Sequence, residues 1–234
     1  MIVISSALPK SASSLVSAYQ LEMLKAAETK NGQDELKRVF GSGFIRGLKP
    51  AVLLRLLYIN LRHGSVVVKT HAGPNRLLNM FMLAGIVKVT YCFRDPRDVI
   101  LSAMDQRRRC MTQKGHGGSF GDYTDVYAAV RHLPDILETW FHWKQNGGTL
   151  FIRYEDLLGD KRKQILRIAQ YLGWHISSAE VEGMITKYDN HINTIGTYNT
   201  GKMIRYPEEM SDAEIAHCNQ ELGDWIKTMG YELM

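Results

Sequence analysis

Several features that would place a chain in an obvious class are missing from this one. No run of about eighteen apolar residues occurs, so no transmembrane helix is expected. The start shows no secretory leader, because Ile2, Val3 and Ile4 read as strand with no charged region before them. Cysteine is scarce: Cys92, Cys110 and Cys218 stand apart, without CxxC or Cys/His spacing. That argues against a zinc site and for a reducing, cytoplasmic setting. The ATP-kinase phosphate loop GxxxxGK[ST] is absent, and no glycine precedes Gly32. No basic stripe interleaved with aromatics is present, which leaves no nucleic-acid partner to expect. The formal net charge of +5 suits an anionic ligand without specifying one. Arg107-Arg108-Arg109 and Lys161-Arg162-Lys163 read as solvated helix faces.

What is present is an alternation of strand and helix. Strands are expected at 2–5, 65–70, 86–93 and 149–154, the second from the β-branched run SVVVKT. Helices are expected at about 13–30, 49–62, 74–85, 125–145 and 155–172, with Gly85 and Gly173 as stops. Asp95 caps a further helix that has Pro96 in its first position. Ser211-Asp212-Ala213-Glu214 is a capping box opening the last helix. Residues 111–124 hold four glycines and no apolar period, and read as a long mobile loop covering a site. Residues 189–207 read as irregular, and Met80, Phe81 and Met82 as helix core. The pattern predicts one α/β domain over 1–234, a three-layer α/β/α arrangement around a central parallel sheet. Ligands of such sheets bind at the carboxyl ends of the strands, so those positions carry the functional reading.

After the first strand comes Pro9-Lys10-Ser11-Ala12-Ser13-Ser14. A small-residue turn entering a helix points free backbone N–H groups at an anion, and the lysine adds a mobile charge. A plain surface turn is the alternative. After the second strand come Lys69, Thr70 and His71, where a histidine serves either as a general base or as a satisfied loop residue. After the third comes Arg94, able to fork onto a phosphate or to pair with Asp95 or Asp98. Ser102 follows about two helical turns along. After the fourth, Tyr154-Glu155-Asp156 opens a helix with its acids well placed against the dipole.

These four segments, in this order, resemble the sulfotransferases that use 3′-phosphoadenosine 5′-phosphosulfate (PAPS). PKSASS at 9–14 is similar to that family's PKSGTT phosphosulfate loop, and Lys69-Thr70-His71 to its KTH segment. YCFRDPRDVILSAMDQ at 91–106 resembles the stretch that holds the 3′-phosphate, and RYEDLLGD at 153–160 its YEDL element. The resemblance implies a P-loop-NTPase-like architecture and a metal-free, in-line sulfuryl transfer to a hydroxyl or amine. It implies that Lys10 stabilises charge on the oxygen leaving sulfur, and that Ser11, Ala12, Ser13 and Ser14 cradle the 5′-phosphosulfate. His71 would take the acceptor's proton with Lys69 in support. Arg94 and Ser102 would hold the 3′-phosphate, and Tyr154 would lie near the adenine. Three departures stand out. Ala12 replaces the usual glycine, and Leu15 stands where the cytosolic enzymes carry tryptophan. The C-terminal RKG element is matched only loosely, through Gly201, Lys202 and Arg205.

The expected partner is a small-molecule acceptor, with homo-oligomerisation left open. Phenol, alcohol, sugar and amine are not distinguished. Two other readings stay open: a phosphotransferase with a degenerate phosphate loop, and a nucleotide-binding protein without catalysis.

Overall fold

The β-branched and apolar runs form a single four-stranded sheet in the computed structural model, which describes residues 1–27, 31–190 and 202–234. The strands are β1 (Ile2–Ala7), β2 (Val66–Thr70), β3 (Val87–Phe93) and β4 (Thr149–Arg153). All are parallel, in the order β2-β1-β3-β4, with Ile4 opposite both Val68 and Val89 and Tyr91 opposite Phe151. The chain leaves β1 toward one edge and returns to its other side. The crevice at the carboxyl ends of β1 and β3 is therefore the topological switch point.

Period-two alternation explains how the sheet is covered on both faces. Ile2, Ile4, Val66, Val68, Val89 and Tyr91 pack into one buried cluster; Val3, Ala7, Val67, Cys92 and Ile152 pack into another. The first is closed by α2 (Gln33–Phe40), α3 (Pro50–His63), α4 (Arg76–Leu83), α5 (Pro96–Lys114), α6 (Val126–Gln145) and α11 (Asp212–Thr228). The second is closed by α1 (Ser13–Ala27), α7 (Tyr154–Gly159), α8 (Lys161–Leu172) and α9 (Ser178–Asn190). Three layers result. Among the described residues no helix is long and apolar enough to cross a membrane.

Several boundaries differ from expectation. The first helix ends at Ala27, and 28–30 lie outside the described residues. The segment read as a loop from 111 begins instead as the last turn of α5, which runs to Lys114 and stops at Gly115 with φ 71°. Its Met111 is exposed, so the helical turn carries no apolar period to betray it. The helix expected at 155–172 is two, because Asp160 ends α7 and caps α8 by accepting from Lys163 N at 2.9 Å. The irregular stretch gives way to α10 (Tyr206–Glu209), while 191–201 lie outside the described residues. Met80 is exposed rather than core, whereas Phe81 and Met82 do pack against the first cluster. The capping box at Ser211 and Glu214 forms as expected.

The edge of β2 is closed by a device that the site uses. Gln33 donates from Nε2 to Val67 O at 3.1 Å and accepts from Val67 N at 3.0 Å, standing in for a neighbouring strand. Further along, Lys69 N donates to Gly43 O and Ile45 N to Lys69 O. That pairing sets Phe44 beside His71, with ring centroids 5.6 Å apart.

Candidate active site

The turn after β1 is built to hold an unusual backbone. Lys10 and Ala12 both adopt left-handed conformations, φ 68° and 64°. Leu8 N bonds Cys92 O at 2.9 Å, tying the turn to the end of β3. Leu15 N and Val16 N both reach Ala12 O, so α1 starts immediately and its first amides face the crevice. Ser11 points the other way. It is fully buried, with its hydroxyl against the carbonyls of Leu8 and Cys92. Of the four residues expected to cradle an anion, Ser11 therefore contributes backbone only, and its side chain is an internal brace. A left-handed alanine costs about 1–2 kcal/mol, against roughly 0.5–1 kcal/mol for the extra chain entropy of glycine. Ala12→Gly is accordingly expected to raise stability by on the order of 1 kcal/mol in urea unfolding. A loss would show that the Ala12 methyl packing outweighs the strain.

A cavity of about 710 Å³ opens at the carboxyl ends of the strands. Lys10, Ala12, Ser13 and Ser14 line it from β1, Lys69 and His71 from β2, Arg94 and Ser102 from β3 and α5, and Tyr154 from β4. Four stretches far apart in the chain thus meet in one place.

Each side chain is held by identifiable partners. Lys69 Nζ donates to Ser14 Oγ at 2.7 Å, joining the strand end to the turn. His71 Nδ1 lies 2.7 Å from Ala7 O. A carbonyl only accepts, so Nδ1 carries the proton and Nε2 is the ring nitrogen with a lone pair. The loop beyond is pinned by Thr70 Oγ1 on Ile45 O at 2.7 Å and by Trp143 Nε1 on Ala72 O at 3.1 Å. Lys10 Nζ reaches Gln106 Oε1 at 3.4 Å, a partner on α5 that the sequence does not single out. Burial, then the Arg109 charge, lower the Lys10 ammonium to about 8. Burial also holds His71 below 6.5 and lowers Lys69.

Arg94 realises both of its alternatives at once. It is buried and pairs with Asp98 at 3.3 Å, yet it lines the cavity and lies over the Tyr154 ring, 4.1 Å from its centroid. Its Nη2 also donates to Lys202 O at 2.8 Å and Met203 O at 3.2 Å. Asp98 completes the clasp by accepting from Arg205 N at 2.9 Å and Tyr206 N at 3.0 Å. The segment after 201 is therefore docked onto the arginine itself. Lys202 lines the cavity, with its ammonium 3.1 Å from Glu208. Gly201 lies outside the described residues. Arg205, also in the lining, is buried and paired with Asp105 at 2.8 Å and Glu209 at 2.7 Å. Phe44, Gln106, Phe120 and Ile136 complete the walls. Of these, only the aromatic at 120 stood in a segment marked in advance as a cover.

The family model described as a sulfotransferase domain matches residues 49–234. The chain belongs to the sulfotransferase family. Its phosphosulfate-type loop at 9–14 precedes the matched stretch. Among curated relatives, cytosolic sulfotransferase 17 of Arabidopsis thaliana is 23% identical over 183 residues, covering 73% of this chain and 53% of its own length. The 3-beta-hydroxysteroid sulfotransferase of Cavia porcellus is 24% identical over 148 residues, 57% of this chain and 50% of that one. This sulfotransferase-family chain thus spans about half the length of the curated relatives it matches. Among solved structures, mouse sulfotransferase SULT7A1 complexed with PAP superimposes with a TM-score of 0.62 at 13% identity, over 97% of this chain and 84% of that one. Retinol dehydratase in a complex with retinol and PAP gives 0.63 at 18%, over 100% and 82%. At these identities the likeness establishes the fold that the sulfotransferase family shares.

Proposed function

We propose that residues 1–234 act as one sulfotransferase domain that moves a sulfuryl group from PAPS to a hydroxyl or amine of a small molecule. The observation that carries this reading is the convergence of Lys10, Lys69, His71, Arg94 and Ser102 on a single cavity at the switch point. The walls suit an anionic nucleotide in a second respect. Arg94 Nε and Arg205 Nη1 are buried with no hydrogen-bond partner among the described residues, and both residues line the cavity. A native protein rarely leaves such donors orphaned unless a ligand answers them. The nucleotides in the neighbouring SULT7A1 and retinol dehydratase complexes point the same way.

The donor, when bound, supplies an activated sulfuryl group. On this reading the amides of 12–14 and the Ser13 and Ser14 hydroxyls face its 5′ end. Arg94 and Ser102 face the 3′-phosphate, joined by Arg205 and the Gly201-Lys202 segment, and Tyr154 stands beside the base. Lys10 offsets the negative charge that grows on the leaving oxygen, and Lys69 holds Ser14 in place. His71 Nε2 takes the proton from the attacking hydroxyl as the new S–O bond forms.

Two protonation states must coexist, and this sets the pH dependence. His71 must be neutral, so kcat/KM falls as pH drops through a midpoint below 6.5. Lys10 must be charged, so kcat/KM falls as pH rises through about 8. The expected profile of the free protein is a bell between these limits. A profile flat across pH 8 would show that Lys10 titrates elsewhere. The reading itself is tested by calorimetry with 3′-phosphoadenosine 5′-phosphate (PAP) against ATP with magnesium. PAP is expected to bind and ATP to bind much more weakly. The reverse order would favour a phosphotransferase, and PAP binding without transfer to any acceptor would favour a non-catalytic binder.

A further inference from the structure

The donor end of the cavity has its positive charges matched within the protein. Arg94 pairs with Asp98, Arg205 with Asp105 and Glu209, and Lys202 with Glu208. The opposite end is different. There Lys114, at the end of α5, and His116 stand at the mouth, facing Phe44, Phe120 and Ile136. No aspartate or glutamate belongs to the lining anywhere among the described residues. Lys114 is exposed and has neither an ion pair nor a hydrogen bond among them. Lys10 and Lys69 present the cavity with two more ammonium groups, whose hydrogen-bond partners, Gln106 and Ser14, are uncharged.

Resting on the function proposed above, we infer that the acceptor is a hydroxyl compound with a ring-shaped apolar body and an acidic group received by Lys114, and that protonated amines are rejected. Phe44 lies 5.6 Å from the His71 ring and tilted by 57°, which gives a flat body a wall beside the base. A hydroxyl on that body can then reach Nε2 while the far end of the molecule meets Lys114. An ammonium group in the same place would have like charges around it and no carboxylate in the walls to answer it. In a partly desolvated site that is a strong form of rejection. A lysine in a last helical turn also complements the helix dipole. That role explains its position on α5 and leaves unexplained a lining with no acid.

The test uses the wild-type chain saturated with PAP and three para-substituted probes: hydroxyphenylacetate, hydroxyphenylacetamide and aminoethylphenol. PAP affinity is measured first, and failure of PAP to bind removes the proposed function on which the inference rests. With PAP bound, hydroxyphenylacetate is expected to bind tightest and aminoethylphenol weakest. Equal affinities, a reversed order, or no detectable binding of any probe would overturn the inference and leave the nucleotide reading standing. Lys114→Glu is expected to shift the acid-to-amine affinity ratio about fivefold or more toward the amine, the scale of an exposed charge contact removed and then reversed. An unchanged ratio in that variant would overturn the assignment to Lys114.

Discussion

Lys10→Met is expected to lower kcat by about two to three orders of magnitude with an unchanged melting temperature. The size follows from what a preorganised donor contributes: removing one from a charge-stabilising site costs roughly 2.7–4 kcal/mol of transition-state stabilisation. Lys10 is suited to that role by its surroundings. Its ammonium is confined to the cavity by a left-handed backbone and has only the neutral Gln106 as hydrogen-bond partner, at 3.4 Å. Burial lowers it to about 8, which shows that the charge is poorly solvated and available to an anion. Methionine keeps the length and apolar stem, so packing is preserved. Single-turnover kinetics with thermal unfolding separate the two effects. Full turnover in a folded variant would take Lys10 out of the chemistry.

The second large effect concerns an arginine that never sees the ligand. Arg97 is 1% exposed, and its guanidinium grips Asp95 through Nε at 3.0 Å and Nη2 at 2.7 Å. It also lies over the Tyr206 ring at 3.8 Å and donates to Glu232 O at 2.8 Å and Asn219 Oδ1 at 3.2 Å. One side chain thus ties the start of α5 to α10, α11 and the last residues. Arg97→Leu leaves Asp95 buried without its counter-charge, which costs about 3–5 kcal/mol. For a chain of this size that lowers Tm by roughly 10 °C. Asp95 also caps α5, accepting from Arg97 N at 2.9 Å. Asp95→Asn keeps a good cap while removing the charge, so the double variant is expected to recover part of the loss. An Arg97→Leu chain that melts with wild type would show that the pair contributes nothing net.

Arg94 and Arg97 mark how far the sequence could be read. Both stand in FRDPRD, and both are arginines beside aspartates. The reading picked Arg94 as the one at the strand end, and the cavity places it there. The period of the helix entered at Pro96 sends Arg97 inward instead, toward a C-terminal segment more than a hundred residues away. In the phosphosulfate-type turn the same limit appears at shorter range. Four small residues look equivalent in sequence, yet Ser11 faces the end of β3 while Ser13 and Ser14 face the cavity. Phe44 and Gln106 escaped notice for a related reason. One reaches His71 through pairing along the edge of β2, and the other reaches Lys10 across from α5. Neither contact leaves a local pattern. Conversely, the capping box at Ser211 and the Asp95-Pro96 start were legible because caps are settled within one turn of chain.

From the sequence alone came the strand–helix alternation, the parallel sheet, and the ends of the strands as the place where the reactive side chains stand. Hydrophobic period and capping act over a few neighbouring residues, and those features depend on nothing further. Tertiary structure alone decided which of several chemically equal groups open into the cavity and which brace it from behind. It also decided that the segment following residue 201 docks on Arg94. Those choices are made by packing between elements distant in the chain, whose relative positions no local preference encodes.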